Sequence, residues 1–447
     1  MTNPTLAIIV LILCTFSNGA KYKPNWNSLQ TRPIPKWYDQ AKIGIFIHWG
    51  VYSVPSFGSE WFWKHWKDGT DGYKDFMKQN YPPNFTYQDF GRYFTAEFFK
   101  PDEWAKQFKK SGAEYVILTT KHHEGFTMWP STYSFGWNAM DIGPNRDIVA
   151  ELSTAVRAQN LKFGAYYSLL EWYNPRYLAD SNANFTTNNF VADKMYPELL
   201  ELIETYKPDI IWADGEWTAP DTYWNSTNFL AWLYNESPVK DAVVADDRWG
   251  KGSLCKHGGV FTCQDGYNPK TLQKHKFENA VSLDKHSWGF RRNARLEDIL
   301  SIEELITEVV QTVSCGGNIA INVGPTHYGK IPLIFQQRLS DLGSWLNVNG
   351  QSIKKTTPWK YQNDTLNSNV WYTQAKPAVY AISLKWPENN IVELGAVKEL
   401  FGKHKPKVNL LGVKDQLTYK VTKKTVKITL PDKATVKSKW AYVLKIA

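Results

Sequence analysis

One repeated order of elements constrains this chain more than any other feature: a short apolar run, a polar and aromatic cluster, then an amphipathic helix. Lys42 to Ile47 leads into His48-Trp49-Gly50, and Glu114 to Thr120 into Lys121-His122-His123-Glu124-Gly125-Phe126. Phe163 to Ser168 runs toward Glu171-Trp172, and Ile210-Ile211-Trp212 into Asp214-Gly215-Glu216-Trp217. Ala242 to Ala245 ends in Asp246-Asp247-Arg248-Trp249-Gly250, Val281-Ser282-Leu283 leads to Ser287-Trp288-Gly289, and Asn318 to Val323 ends in Gly324-Pro325. Helical patterns lie between them: Pro101 to Gly112, Arg146 to Asn160, Leu199 to Tyr206, Asn228 to Tyr234, Ile302 to Val313 and Pro332 to Leu346. Such alternation predicts a parallel sheet with crossover helices. The clusters follow the strands, not the helices. A doubly wound sheet would gather them at one switch point, whereas a barrel spreads them over all its strand ends. The pattern therefore predicts an α/β fold, a (β/α)8-like TIM barrel, with seven strands readable and an eighth unassigned.

Beyond Gln351 the helical period disappears. Alternating runs replace it at Val379–Leu384, Val426–Leu430 and Trp440–Ile446, which predict a small antiparallel β-sandwich. At the other end, the apolar stretch Leu6–Phe16 is followed by Ser17, Gly19 and Ala20. It is too short to span a bilayer and fits a signal-peptide core, although no Lys or Arg precedes it. The expected organisation is a signal peptide over 1–20, a catalytic barrel over 21–350 and a β-sandwich over 351–447. No other run approaches the ~20 apolar residues of a membrane span.

The net charge of +9 is uneven. Residues 351–447 hold 18 Lys and 6 acidic groups, leaving 34 basic and 37 acidic groups for 1–350. A solvated lysine-rich face accounts for this more readily than an anionic partner, and no nucleic-acid motif is present. Of four cysteines, Cys14 falls in the leader. Cys255 and Cys263 are near enough to close a small loop in an oxidising compartment, and Cys315 reads as a buried thiol. Sequons at Asn84, Asn184, Asn225, Asn235 and Asn363 are credible glycan sites in an exported chain, Asn235 being weakened by Pro238.

The chemistry centres on Asp209 to Trp217. A buried strand that ends in Asp, Gly, Glu and Trp sets carboxylates at the edge of an apolar wall, as glycoside hydrolysis needs. Asp214 is the nucleophile candidate and Glu216 a supporting group. His48, His122 and His123 each follow a strand. One such histidine is usually structural; three suggest a rim that binds hydroxyls. Adjacent His122 and His123 on an extended chain should point to opposite faces. Arg248 is a cation able to hold a carboxylate such as Asp214 ionised. Trp61, Trp212 and Trp288 offer faces to sugar C–H groups. No phosphate loop, nucleophile-elbow serine or zinc motif is present.

Six stretches carry a resemblance: Phe46-Ile47-His48-Trp49-Gly50, Ser59-Glu60-Trp61, Thr120 to Phe126, Trp212 to Trp217, Asp247-Arg248-Trp249-Gly250, and Gly316-Gly317-Asn318 through Gly324-Pro325. Together, and in this order, they resemble the retaining α-L-fucosidases of the animal lysosomal type, over essentially the whole mature chain. The resemblance implies Asp214 as nucleophile through a covalent fucosyl intermediate. It implies a fucose pocket of His48, Glu60, Trp61, His122, His123, Tyr167, Trp212, Arg248 and Trp288, with no metal or organic cofactor. The acid/base should lie on the loop after Asp-Arg-Trp-Gly, where Asp265 is preferred. Glu278 is the alternative or a supporting residue, in Lys276-Phe277-Glu278-Asn279-Ala280, which departs from the family's Lys-Trp-Glu-x-Cys at Phe277 and Ala280. The implied substrates are fucosylated glycans, glycoproteins or glycolipids, met in the lysosome or outside the cell, and homo-oligomers are common among relatives. An inactive fucose-binding protein and a retaining hydrolase of another sugar are the competing readings.

Overall fold

The computed structural model describes residues 22–402 and 405–447; the expected signal peptide lies outside them. Seven parallel strands form one sheet: β1 Ile43–Ile47, β2 Tyr115–Lys121, β3 Lys162–Ser168, β4 Ile210–Asp214, β5 Val244–Ala245, β6 Glu278–Ser282 and β7 Asn318–Val323. Their spatial order is β5-β4-β3-β2-β1-β7-β6. β1, β2 and β4 are buried along their whole length, as parallel strands covered on both faces must be. Helices over Pro101–Lys110, Ile148–Ala158, Tyr196–Tyr206, Ser226–Asn235, Ile302–Ser314 and Leu333–Asn349 cover the outer face. Ile302–Ser314 starts with a capping box, Ser301 and Glu304 each meeting the other's backbone N–H.

The gap between β5 and β6 is closed by two residues inside what the sequence presents as a long polar loop. The Val260 N–H donates to the Ala245 carbonyl at 2.9 Å, and the Phe261 N–H to that of Lys276 at 2.9 Å. Glu278 N–H returns a 2.9 Å bond to the Phe261 carbonyl. This fragment stands where an eighth strand would, too short to show a strand pattern.

Side chains alternate between the barrel interior and the helix layer. Phe46, Tyr115, Tyr166, Trp212 and Val260 pack together inside, while Tyr167, Ile211 and Ala213 join the outer core. Gly44 is required by this interior: a Cβ there would lie 2.0 Å from the Tyr115 ring.

The chain after the barrel forms an antiparallel pair of sheets. Its strands are β8 Thr357–Asn363, β9 Val370–Ala375, β10 Ala378–Ser383, β11 Ile391–Leu394, β12 Val408–Leu410, β13 Tyr419–Val421, β14 Val426–Thr429 and β15 Tyr442–Ile446. One sheet has the order β12-β15-β10-β9-β8 and the other β11-β14-β13, with their own apolar core between them. No helix among the described residues is long and apolar enough to cross a membrane.

Candidate active site

At the carboxyl ends of β1 to β4, a cavity of about 210 Å³ is lined by Phe46, His48, Glu60, Trp61, His122, His123, Tyr166, Trp212, Asp214, Trp217, Arg248, Asp265 and Trp288. Asp214 is the last residue of β4, two positions after Trp212, so both face inward. Its oxygens are held separately. Arg248 Nη1 donates to Oδ1 at 3.1 Å, and the Tyr166 hydroxyl to Oδ2 at 2.7 Å. Arg248 Nη2 donates to Asp265 Oδ1 at 2.6 Å. One guanidinium thus carries both carboxylates. Burial works against its charge, but Asp214 and Asp265 raise its pKa above the usual value. It lies 4.6 Å over the Trp212 ring, a cation–π contact. The Asp214 side chain is 13 % exposed and that of Asp265 54 %, so Asp214 sits inside the cavity and Asp265 at its mouth.

The loop bearing Asp265 is anchored through Asp247. Its carboxylate accepts from the Thr262 N–H at 2.9 Å, the Thr262 hydroxyl at 2.7 Å and the Cys255 N–H at 2.8 Å. Thr262 in turn accepts from Arg248 Nε at 3.0 Å. Cys255 and Cys263 form a disulfide across this loop, with Cα atoms 4.8 Å apart. Cys315 is a buried free thiol.

Two histidine tautomers follow from their partners. Asn322 Nδ2 donates to Ser282 Oγ and the Trp288 carbonyl, so its Oδ1 accepts from His48 Nδ1–H at 2.8 Å. Ser168 spends its proton on the Leu170 carbonyl and accepts from His123 Nδ1–H at 2.6 Å. Each ring keeps a bare Nε2, an acceptor for a hydroxyl. Burial, reinforced by His122, pushes His48 down to about 3, and the same two causes push His123 well below its ordinary value. His123 Nε2 stands 3.6 Å from Asp214 Oδ2. Glu60 is fixed through Oε2, which accepts from the N–H groups of Trp288 and Gly289 at 2.9 and 3.2 Å. Oε1 makes no hydrogen bond among the described residues.

Three expectations need correction. Tyr167 is on the outer face, its hydroxyl donating to Glu198 Oε2 at 2.8 Å; Tyr166 takes the place assigned to it. The register of the sheet sets the parity of β3: Tyr166 pairs with Trp212 and Ser168 with Asp214. Glu278 does not line the cavity. It lies deeper in the barrel and accepts from Tyr38, Tyr115 and Trp212 Nε1 at 2.6, 2.5 and 2.9 Å, which makes it a support for Trp212. His122 and His123 both line the cavity, because β2 ends at Lys121 and the chain turns, Gly125 N–H donating to the His122 carbonyl at 3.0 Å with Gly125 at φ 80°. Phe46 and Trp217 complete the lining. Trp217 stacks on Trp61 with ring centroids 5.9 Å apart.

Residues 9–351 match the Alpha-L-fucosidase family model, and residues 362–447 the Alpha-L-fucosidase C-terminal domain. The chain belongs to the α-L-fucosidase family. As a member it is a glycoside hydrolase. An α-L-fucosidase of Branchiostoma floridae is 56 % identical over 391 residues, 87 % of each chain. The human tissue α-L-fucosidase is 51 % identical over 430 residues, 95 % of this chain and 92 % of that one. Among solved structures, the Thermotoga maritima α-fucosidase in complex with fucose superposes with a TM-score of 0.83 at 32 % identity, covering 95 % of this chain and all of that one. Family membership and the (β/α)8-like barrel with its β-sandwich agree with the sequence reading.

Proposed function

We propose that this protein is an exo-acting α-L-fucosidase that removes terminal α-L-fucose from fucosylated glycans, glycoproteins or glycolipids by retaining double displacement. The observation that carries this reading is the pairing of Asp214 and Asp265 on one guanidinium. Carboxylates so bridged suit the ~5–5.5 Å separation of a retaining pair better than the ~6.5–9.5 Å that admits a water. The cavity has room for one sugar ring, which favours action at chain ends.

Asp214 attacks the anomeric carbon as the glycosidic C–O bond breaks, and Asp265 gives its proton to the departing oxygen. Water then attacks the same carbon. Asp265 takes its proton, and Asp214 is released with net retention. Arg248 and Tyr166 orient the nucleophile; Glu60 Oε1 and the bare Nε2 atoms of His48 and His123 accept from hydroxyls, with His122 beside them. Trp61, Trp212 and Trp288 supply apolar faces for the ring and its C5 methyl. Glu278 acts indirectly, by fixing Trp212.

Release of the aryl group from an aryl α-L-fucoside by wild type and by Asp214→Gly tests the reading. Wild type should turn over and the variant should lose ~10⁴-fold or more in kcat while still binding fucose. Undiminished turnover by the variant would remove Asp214 from the role.

We also infer export, with the lysosome or the extracellular space as destination, and a division into 21–350 and 351–447. The two family matches, which flank residues 352–361, support that division. Asn84 and Asn184 are exposed, and their amides are unbonded among the described residues. By contrast, Asn235 Nδ2 donates to the carbonyls of Tyr22 and Ala231, and Asn363 Nδ2 to those of Ser368 and Val370. Asn225 is half-buried beside Asn228. Peptide mapping of the exported protein should find cleavage near Gly19 or Ala20 and glycans on Asn84 and Asn184 before the others.

A further inference from the structure

A groove of about 580 Å³ lies where the β-sandwich meets the first turn of the helix Ile302–Ser314. Trp386, Trp440 and the edge of Tyr442 form its walls, and Lys385, Lys433 and Lys439 stand around it. The walls are fastened. Trp386 meets Tyr442 edge-on with centroids 4.7 Å apart, and its Nε1 donates to Asn390 Oδ1 at 2.6 Å. Trp440 has φ 64°, a left-handed conformation that bulky side chains rarely adopt. The barrel's last helix holds the segment around it: Trp345 Nε1 donates to the Ala441 carbonyl at 2.9 Å, and Asn349 Nδ2 to Ser438 Oγ at 2.8 Å. Both tryptophans remain partly exposed.

The charges around these walls are unbalanced. Lys360 and Lys427 pair with Glu399 and Glu393, but none of the three groove lysines meets a carboxylate within salt-bridge distance among the described residues. Glu303 is the single carboxylate of the lining. Flat aromatic faces take the C–H face of a pyranose, and ammonium groups take sulfate or carboxylate. A solvated lysine face needs no tryptophans, and an acidic peptide makes less use of flat ring faces than a pyranose does.

We propose that this groove, which shares no lining residue with the catalytic cavity, binds an anionic glycan chain, with its rings on Trp386 and Trp440 and its sulfate or carboxylate groups on Lys385, Lys433 and Lys439. It would hold the enzyme on acidic glycans independently of turnover.

Calorimetric titration of the whole protein at low salt tests this with four probes: a sulfated heparin hexasaccharide, a carboxylated but unsulfated hyaluronan hexasaccharide, a neutral hexasaccharide and a glutamate hexapeptide. At least one anionic oligosaccharide should bind, and the tighter of the two names the charged group read. The double variant Lys433→Glu/Lys439→Glu should weaken it roughly ten-fold or more. Lys423→Glu/Lys424→Glu, equally exposed but outside the groove, should change it less than roughly two-fold. Trp386→Ala, checked for folding by its activity on a small aryl fucoside, should also weaken it. Equal loss in both charge variants would reduce the effect to diffuse charge. Equal affinity for the glutamate peptide, or no binding of either anionic oligosaccharide, would overturn the site.

Discussion

The two faces of β2, β3 and β4 carry buried charge of opposite kinds. Inside the barrel, Asp214 rests on Arg248 and Tyr166, while acceptors stay open at Glu60, His48 and His123. Outside, Lys121 at the end of β2 and Lys194 face Glu171, in the loop after β3, and Glu198, on the helix Tyr196–Tyr206. Lys121 Nζ lies 3.0 Å from Glu171 and 3.5 Å from Glu198, and Lys194 Nζ 3.1 and 2.6 Å from the same pair. Ser131, Ser134 and Tyr167 fill the remaining acceptor positions of Glu198. Burial would raise the Glu198 pKa, but Lys194 and Lys121 overcome this and hold it at about 2. The outer cluster balances two cations with two anions, all buried and paired with one another. The inner one leaves acceptors unfilled. Unfilled hydrogen-bonding capacity, more than buried charge itself, separates a reaction site from a structural one.

The contrast can be broken from either side. After that of Asp214 itself, the largest effect is expected at the mouth of the cavity. Asp265→Ala should lower kcat ~10²–10⁴-fold on fucosides with poor leaving groups and far less on activated aryl fucosides; an equal loss on both would disqualify it as the proton donor. Removing one member of the outer cluster should cost stability without touching the chemistry. Glu198→Ala, which leaves Lys121 and Lys194 sharing Glu171 alone and so one buried cation uncompensated, should lose ~3–5 kcal/mol of unfolding free energy, with the kcat of the folded fraction near wild type.

A pH-dependent case lies between the faces. Burial, then the charge of Asp214, raises Glu216 from 4.5 to about 7, and its Oε2 has no hydrogen-bond partner among the described residues. A carboxyl raised on folding costs nothing below its unfolded pKa and destabilises progressively as pH climbs from about 4.5 to about 7. Glu216→Gln should therefore raise stability by up to about 3 kcal/mol at pH 7 and leave it unchanged near pH 4.5. Thermal melts across that interval read the difference, and a pH-independent change would refute it. The smallest effect compares neighbours. Tyr166→Phe should reduce kcat/KM by roughly 10–100-fold, the value of a hydrogen bond to a charged group. Tyr167→Phe should leave kcat/KM alone and lower stability by ~1–3 kcal/mol.

Most of the barrel was legible because its strands fall in apolar runs, each followed by a polar and aromatic cluster. The closing fragment Val260–Phe261 was not, since it lies inside a long polar loop with no apolar run around it. Asp214, Arg248, Asp265 and the tryptophans could be placed from the strand-end rule with the family motifs. The errors arose where side-chain direction mattered. Tyr166 and Tyr167 differ only in parity, which is fixed by register with Trp212 and Asp214 across the sheet. His122 and His123 share a face because the strand has already ended. Glu278 is acidic and near the acid/base loop in sequence, but β6 delivers it to the barrel interior, where three donors consume it.

The most direct test of the central claim is to treat the enzyme with a 2-fluoro-fucosyl fluoride, which slows release of a covalent intermediate, and to map the labelled peptide by mass spectrometry. A single 2-fluoro-fucosyl adduct on Asp214, formed with loss of the anomeric fluoride at the rate at which activity disappears, is the predicted result. An adduct on another residue, or inactivation with no covalent label, would contradict the assignment of Asp214 as the nucleophile of a double displacement.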